Sequence, residues 1–138
     1  MSRSAALCKR VKAGNTVALI VSDMSRFWMR QDLVVPHLVD YLTQRCGVQE
    51  ADISIVIANG THEGGDEQEL RTLVTDAVYD RVRVENHDCE ATDLVYLGTT
   101  PHGTPVSINR TAVQADIVIC LGAVTHHVMA GFGGGRAR

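Results

Sequence analysis

Thr16-Val17-Ala18-Leu19-Ile20-Val21 is a continuous apolar run rich in β-branched side chains. Such a run, without polar alternation, predicts a strand buried on both faces, as the inner strands of a parallel sheet are. Ile53-Ser54-Ile55-Val56-Ile57-Ala58 repeats the pattern, and Asp116-Ile117-Val118-Ile119-Cys120-Leu121 repeats it again. Between the first two runs, Leu33, Val34, His37, Leu38, Tyr41 and Leu42 recur at helical spacing, with Gly47 as the stop and Pro36 marking the first turn or a kink. Asp66 suits the N-cap of a second helix carrying Leu70, Leu73, Val74 and Val78. Arg81-Val82-Arg83-Val84-Glu85 alternates as a further strand. Leu94-Val95-Tyr96-Leu97 and Pro105-Val106-Ser107-Ile108 flank a Gly/Thr/Pro loop and predict a hairpin. Strands alternating with helices predict an α/β fold. The expected architecture has three layers, a mostly parallel sheet flanked by helices, with a β-hairpin near residues 94–108.

The chain has 138 residues, enough for one α/β domain over 1–138, and 45% of them are apolar, enough for an ordinary core. The net charge is −3 with no basic block, which argues against a nucleic-acid partner, because phosphate binding needs clustered Lys and Arg. No apolar run is long enough to span a bilayer, and the first residues are too weakly apolar for a signal peptide. Cys8, Cys46, Cys89 and Cys120 form no CxxC pair, so the expectation is free thiols in a reducing cytoplasm, with Cys120 a small core residue. Lysine occurs only at Lys9 and Lys12, and arginine supplies every other cation.

In open parallel sheets, ligands bind beyond the C-terminal ends of the strands. Three strand ends here carry reactive residues. Asp23-Met24-Ser25-Arg26 follows the first. An arginine there can grip a carboxylate through two parallel hydrogen bonds, and Asp23 can orient that arginine or a neighbouring histidine. The plainer reading is a surface ion pair with a helix cap. Gly60-Thr61-His62 follows the second strand and projects an imidazole that can take up and release a proton near neutral pH, or merely bond locally. Thr125-His126-His127 and the run Gly131-Phe132-Gly133-Gly134-Gly135-Arg136 follow the third. Adjacent residues of an extended chain point oppositely, so the histidine pair is a weak metal signal, and no metal ligand is assigned. The glycines allow close backbone approach to a ligand and form a weak phosphate-loop pattern. Asn86-His87-Asp88 reads as turn chemistry, and His102 as an exposed loop residue.

Taken in order, Val21-Ser22-Asp23-Met24-Ser25-Arg26, Ala58-Asn59-Gly60-Thr61-His62, Asn86-His87-Asp88, Tyr96 to Arg110 and His127 to Arg136 resemble the nickel-dependent lactate racemase family in its N-terminal domain. The resemblance implies that a nickel-pincer nucleotide takes a hydride from the α-carbon of a 2-hydroxy acid and returns it to the other face. It implies His62 and His127 as the two catalytic histidines that handle the hydroxyl proton. It implies Asp23 and Arg26 as the pair contacting the small 2-hydroxy acid substrate, and Gly133, Gly134 and Gly135 as the stretch beside the cofactor. Three departures stand out. The lysine that tethers the cofactor in the family aligns with Ala137, the proline that usually precedes the second histidine is His126, and the family's N-terminal extension has no counterpart. The nickel-binding histidine and the second domain of the family lie beyond residue 138, so the chain is expected to be a fragment or a truncated protein lacking its C-terminal domain.

Three functions follow as expectations. The first is the catalytic-type N-terminal domain of a 2-hydroxyacid racemase or epimerase, an isomerase, incomplete and inactive alone and not itself binding the pincer. The second is a non-catalytic paralogue that binds a small carboxylate or a partner subunit. The third is a phosphate- or nucleotide-binding module built on the glycine run. Apolar surface left by an absent second domain would also favour a homo-oligomer.

Overall fold

A computed structural model describes residues 4–128 and 131–133. The first apolar run forms β1 (Val17–Ser22), the second β2 (Ile53–Ala58) and the third β6 (Ile117–Cys120). Arg83–Asn86 forms β3, and the four strands make one all-parallel sheet in the order β3-β2-β1-β6. The register sets Val17 beside Ile53, Leu19 beside Ile55 and Val21 beside Ile57, so one sheet face is a continuous apolar surface.

That face is covered by α2 (Gln31–Cys46), α3 (Glu67–Val74) and α4 (Asp76–Tyr79) through Val35, Val39, Leu42, Leu70, Leu73, Val74 and Val78, all buried in one cluster with the strand residues. Each such side chain contributes about 1.5–3 kcal/mol when fully buried. The short α1 (Ser4–Arg10) packs on α2, and α5 (Arg110–Gln114) lies over β1 and β2 beside Ser54, on the other side of the sheet. Helices therefore flank a parallel sheet on both faces. The antiparallel pair β4 (Val95–Thr99) and β5 (Pro105–Ile108) forms the expected hairpin. Asp66 caps α3, accepting from the Glu69 N–H at 2.9 Å, and Gly47 closes α2.

Several expectations need correction. Of the helical pattern, Leu42 is buried and Leu38 and Tyr41 pack against the core, but Leu33 and Val34 are exposed at 57% and 49%, and the buried stripe is Val35, Val39, Leu42 and Cys46. Both stripes have helical spacing, so the sequence alone does not choose the docking face. The stretch before α2 is a 3-10 turn over Met24–Met29 rather than irregular loop. The helix carrying Leu70 to Val78 is two helices, broken at Thr75, whose φ of 75° lies outside the helical region. The segment from Thr125 pairs as β7 (Thr125–His127) with β8 (Gly131–Gly133).

Cys120 is exposed rather than in the core, because β6 is an edge strand and its outward side chains, with Val118 47% exposed, are uncovered by any described element. The expectation of four free thiols also fails. Cys8 and Cys46 form a disulfide between α1 and α2 with Cα atoms 5.2 Å apart, while Cys89 and Cys120 are free. The partners lie 38 residues apart in sequence, and only the packing of α1 on the end of α2 brings them together. Among the described residues no helix is long and apolar enough to cross a membrane.

Candidate functional site

Because β1, β2 and β6 are parallel, their C-terminal ends lie along one edge of the sheet. Asp23 follows β1 directly. The loop 59–65 follows β2, and β7 follows β6.

Asp23 and His62 meet across this edge: His62 Nδ1 stands 2.5 Å from Asp23 Oδ2. The other carboxylate oxygen, Oδ1, accepts from Ser25 Oγ at 2.6 Å. Burial pushes the Asp23 carboxyl up, but the hydrogen bonds from His62 and Ser25 and the charges of His62 and Arg26 outweigh it, so it lies below its ordinary value. A carboxylate only accepts, so Nδ1 carries the proton and Nε2 is left to exchange one. The Asp23 side chain is 14% exposed and that of His62 is 59%, so the pair hides its anion and presents its imidazole. This is the second of the alternatives open to Asp23: it orients the histidine.

Arg26 sits one residue past Ser25, and its Nη1 donates to Ser25 Oγ at 3.3 Å. Its side chain is exposed, and among the described residues no carboxylate lies within ion-pair distance of it. A guanidinium so placed has the donors to hold an anionic group in two parallel hydrogen bonds. The backbone of His127 is in β7, opposite Gly131, past the same sheet edge, while its side chain lies outside what is described. His126 stacks its ring against Phe132 with centroids 4.7 Å apart. Gly133 ends β8; Gly134, Gly135 and Ala137 lie outside the described residues.

Sequence reasoning missed the residues that hold this edge in shape. The 3%-exposed Gln31 and the 3%-exposed Asn59 are the buried polar side chains among the described residues. Gln31 hydrogen-bonds Ser22, and Asn59 reaches Asn86 and His87. The signal available was a carboxamide directly after an apolar strand, which marks Asn59 after β2 but not Gln31, the first residue of α2. A cavity of about 440 Å³ opens beside His62, lined also by Thr61, Glu63, Asn86, His87 and Cys89.

The sequence profile described as the lactate racemase N-terminal domain matches residues 2–137. The chain is 30% identical over 121 residues to a lactate racemase of Thermoanaerobacterium thermosaccharolyticum, an alignment covering 87% of this chain and 28% of that protein. It is 28% identical over 123 residues to a lactate racemase of Lactiplantibacillus plantarum, covering 88% of this chain and 28% of the relative. The fold superposes on the lactate racemase apoprotein of T. thermosaccharolyticum with a TM-score of 0.80 at 28% identity, over 98% of this chain and 31% of the other. The chain thus spans less than a third of the length of the relatives it matches.

Proposed function

Since the chain belongs to the lactate racemase N-terminal domain family, we propose that it is the proton-handling domain of a lactate-type 2-hydroxyacid racemase or epimerase, acting with a further domain. The observation that carries this reading is the Asp23–His62 pair, a hidden carboxylate holding an exposed imidazole. In that state His62 Nε2 can accept the proton of a substrate hydroxyl and return it, while Asp23 stabilises the imidazolium that forms in between. Arg26 binds the substrate carboxylate in two parallel hydrogen bonds, which fixes the hydroxyl relative to His62. A racemase handles both enantiomers and needs a proton-transfer group for each. His127, carried past the same edge by β7, is the second. The chain's share of its relatives' length supports a partner domain, and we place its setting in the cytoplasm.

The nickel-pincer nucleotide that the family implies does not fit the residues described. The sequence offers no lysine beyond Lys12 to tether the nucleotide, and the aligned position is Ala137. Gly133, Gly134 and Gly135 could pass close to a cofactor, but none of them anchors it. The missing lysine is the specific feature that favours a second reading, a paralogue that binds a small carboxylate or a subunit without turnover.

Both readings keep the carboxylate clamp, and titration calorimetry tests it. L-lactate and D-lactate should both bind, propionate should bind more weakly for want of a hydroxyl, and Arg26→Ala should weaken lactate about tenfold, or about 1.4 kcal/mol. Equal binding of lactate and propionate, or no effect of Arg26→Ala, would remove the assignment.

A further inference from the structure

The loop that carries His62 is closed at both ends by one side chain from another strand. Asn86, the last residue of β3, accepts at Oδ1 from Asn59 Nδ2 at 3.0 Å and from the Gly65 N–H at 3.1 Å. Its Nδ2 donates to the Gly65 carbonyl at 2.8 Å. Asn59 Nδ2 also donates to the His87 carbonyl at 3.2 Å, and inside the loop the His62 N–H donates to the Asn59 carbonyl at 3.0 Å. Asn59 and Gly65, the two ends of the loop, are thus fastened to the same carboxamide. The fit is close. A Cβ on Gly64 would lie 2.9 Å from Asn86 Cγ and 3.0 Å from its Nδ2. Only glycine lets the loop lie over the Asn86 side chain.

We infer that Asn86 is a positioning residue for His62: it pins both ends of the 59–65 loop to β3 and so holds the imidazole within reach of Asp23. The inference rests on the role proposed for His62 but concerns where the ring stands, which is measurable without turnover. Asp23 selects the ring's tautomer, and Asn86 delivers the ring to Asp23. The carboxamide is needed as both donor and acceptor. Asn86→Asp keeps an acceptor for Asn59 and the Gly65 N–H but sets an oxygen against the Gly65 carbonyl. Gly64→Ala disturbs the same clamp from the other side while leaving Asn86 intact.

The test is ring-nitrogen NMR of the histidine-labelled chain at a fixed neutral pH. The ionisable groups around His62 are Asp23 from the end of β1 and Glu63, His87, Asp88, Cys89 and Glu90 around the shared cavity; Gly64→Ala alters none of them, whereas Asn86→Asp adds a carboxylate to that cavity, so the uncharged Asn86→Ala is measured beside it. Wild type should show His62 with its proton on Nδ1. Asn86→Asp and Gly64→Ala should each lose that signature, with the signals of His37 and His102 unmoved. In a double variant with Asn86→Ala, Gly64→Ala should add no further loss, because the group it strikes is gone. If Asn86→Asp fails to fold, Gly64→Ala alone decides. A folded variant with His62 unchanged, or equal disturbance at His37 and His102, would overturn the inference. Adding lactate separates the two ideas. A His62 signal that depends on Asn86 yet ignores lactate leaves the clamp standing and removes the proposed function.

Discussion

Gln31, the first residue of α2, takes over both backbone polar groups of Ser22, the last residue of β1. Its Oε1 accepts from the Ser22 N–H at 3.2 Å, and its Nε2 donates to the Ser22 carbonyl. Asp23 is the next residue, so the helix fixes the point from which the carboxylate departs. With Gln31 only 3% exposed, Gln31→Leu would leave the Ser22 groups without these partners, at about 1–3 kcal/mol. Chemical denaturation should show that loss. A change within error would mean that Ser22 finds other partners and that Gln31 does not set the site.

The pH dependence of stability has a definite sign at Asp23. Its carboxyl lies below its ordinary value in the folded chain. The native state therefore binds fewer protons there than the unfolded state, and the stabilisation is complete above the unfolded value of about 3.9. It is lost as pH falls through the lower native value. The partner imidazole is mostly exposed, so the contribution should stay below about 1 kcal/mol. Asp23→Asn should lose less stability than wild type when melting is compared at pH ~5 and pH ~2. Parallel losses would show that Asp23 is not held in its charged form.

Linking Cys8 to Cys46 closes a loop with a sequence separation of 38. Chain-entropy reasoning gives about 3–4 kcal/mol for a loop of that size. Oxidised protein should have an intact mass lower than the fully reduced chain by two hydrogens and should lose part of its thermal stability on reduction. Cys8→Ser should abolish the response to reductant, and Cys120→Ser should not. In a reducing compartment the same pair stands as thiols. An unchanged melt on reduction would show that α1 docks without the bond.

The sheet was legible because β1 and β2 are apolar on both faces, and Gly47 and Asp66 mark helix ends with local chemistry. What escaped the sequence depends on which surfaces meet. Leu33 and Val34 fit a helical stripe as well as Val35 and Val39 do, and only docking on the sheet chooses between them. Cys120 sits in an apolar run but on an edge strand. Cys8 and Cys46 are joined by helix packing. At the site, the residues proposed to carry chemistry, Asp23, Arg26 and His62, stand out in the sequence by type and by place after strands. Gln31, Asn59 and Asn86 do not, because a carboxamide acts only through partners that the fold supplies.

Binding and turnover should separate in this chain. Incubated with mature pincer cofactor and L-lactate, it should form no D-lactate by chiral chromatography, because a rate enhancement needs the reacting groups held about 3–3.5 Å apart and the residue we propose at the tether position is Ala137. Turnover, or a covalent cofactor adduct seen by mass spectrometry, would show that the alignment at Ala137 is wrong.

We propose that this chain keeps the proton-transfer half of a racemase site and lacks the cofactor anchor. The decisive experiment is a chimera in which this chain replaces the matching region of the T. thermosaccharolyticum lactate racemase. Racemisation is measured alongside melting and cofactor loading. The expected outcome is no turnover with Ala137, turnover with Ala137→Lys once the cofactor is covalently loaded, and loss of it again when His62→Ala is added. A folded, loaded Ala137→Lys chimera that does not racemise lactate, or one whose rate is indifferent to His62→Ala, would contradict it.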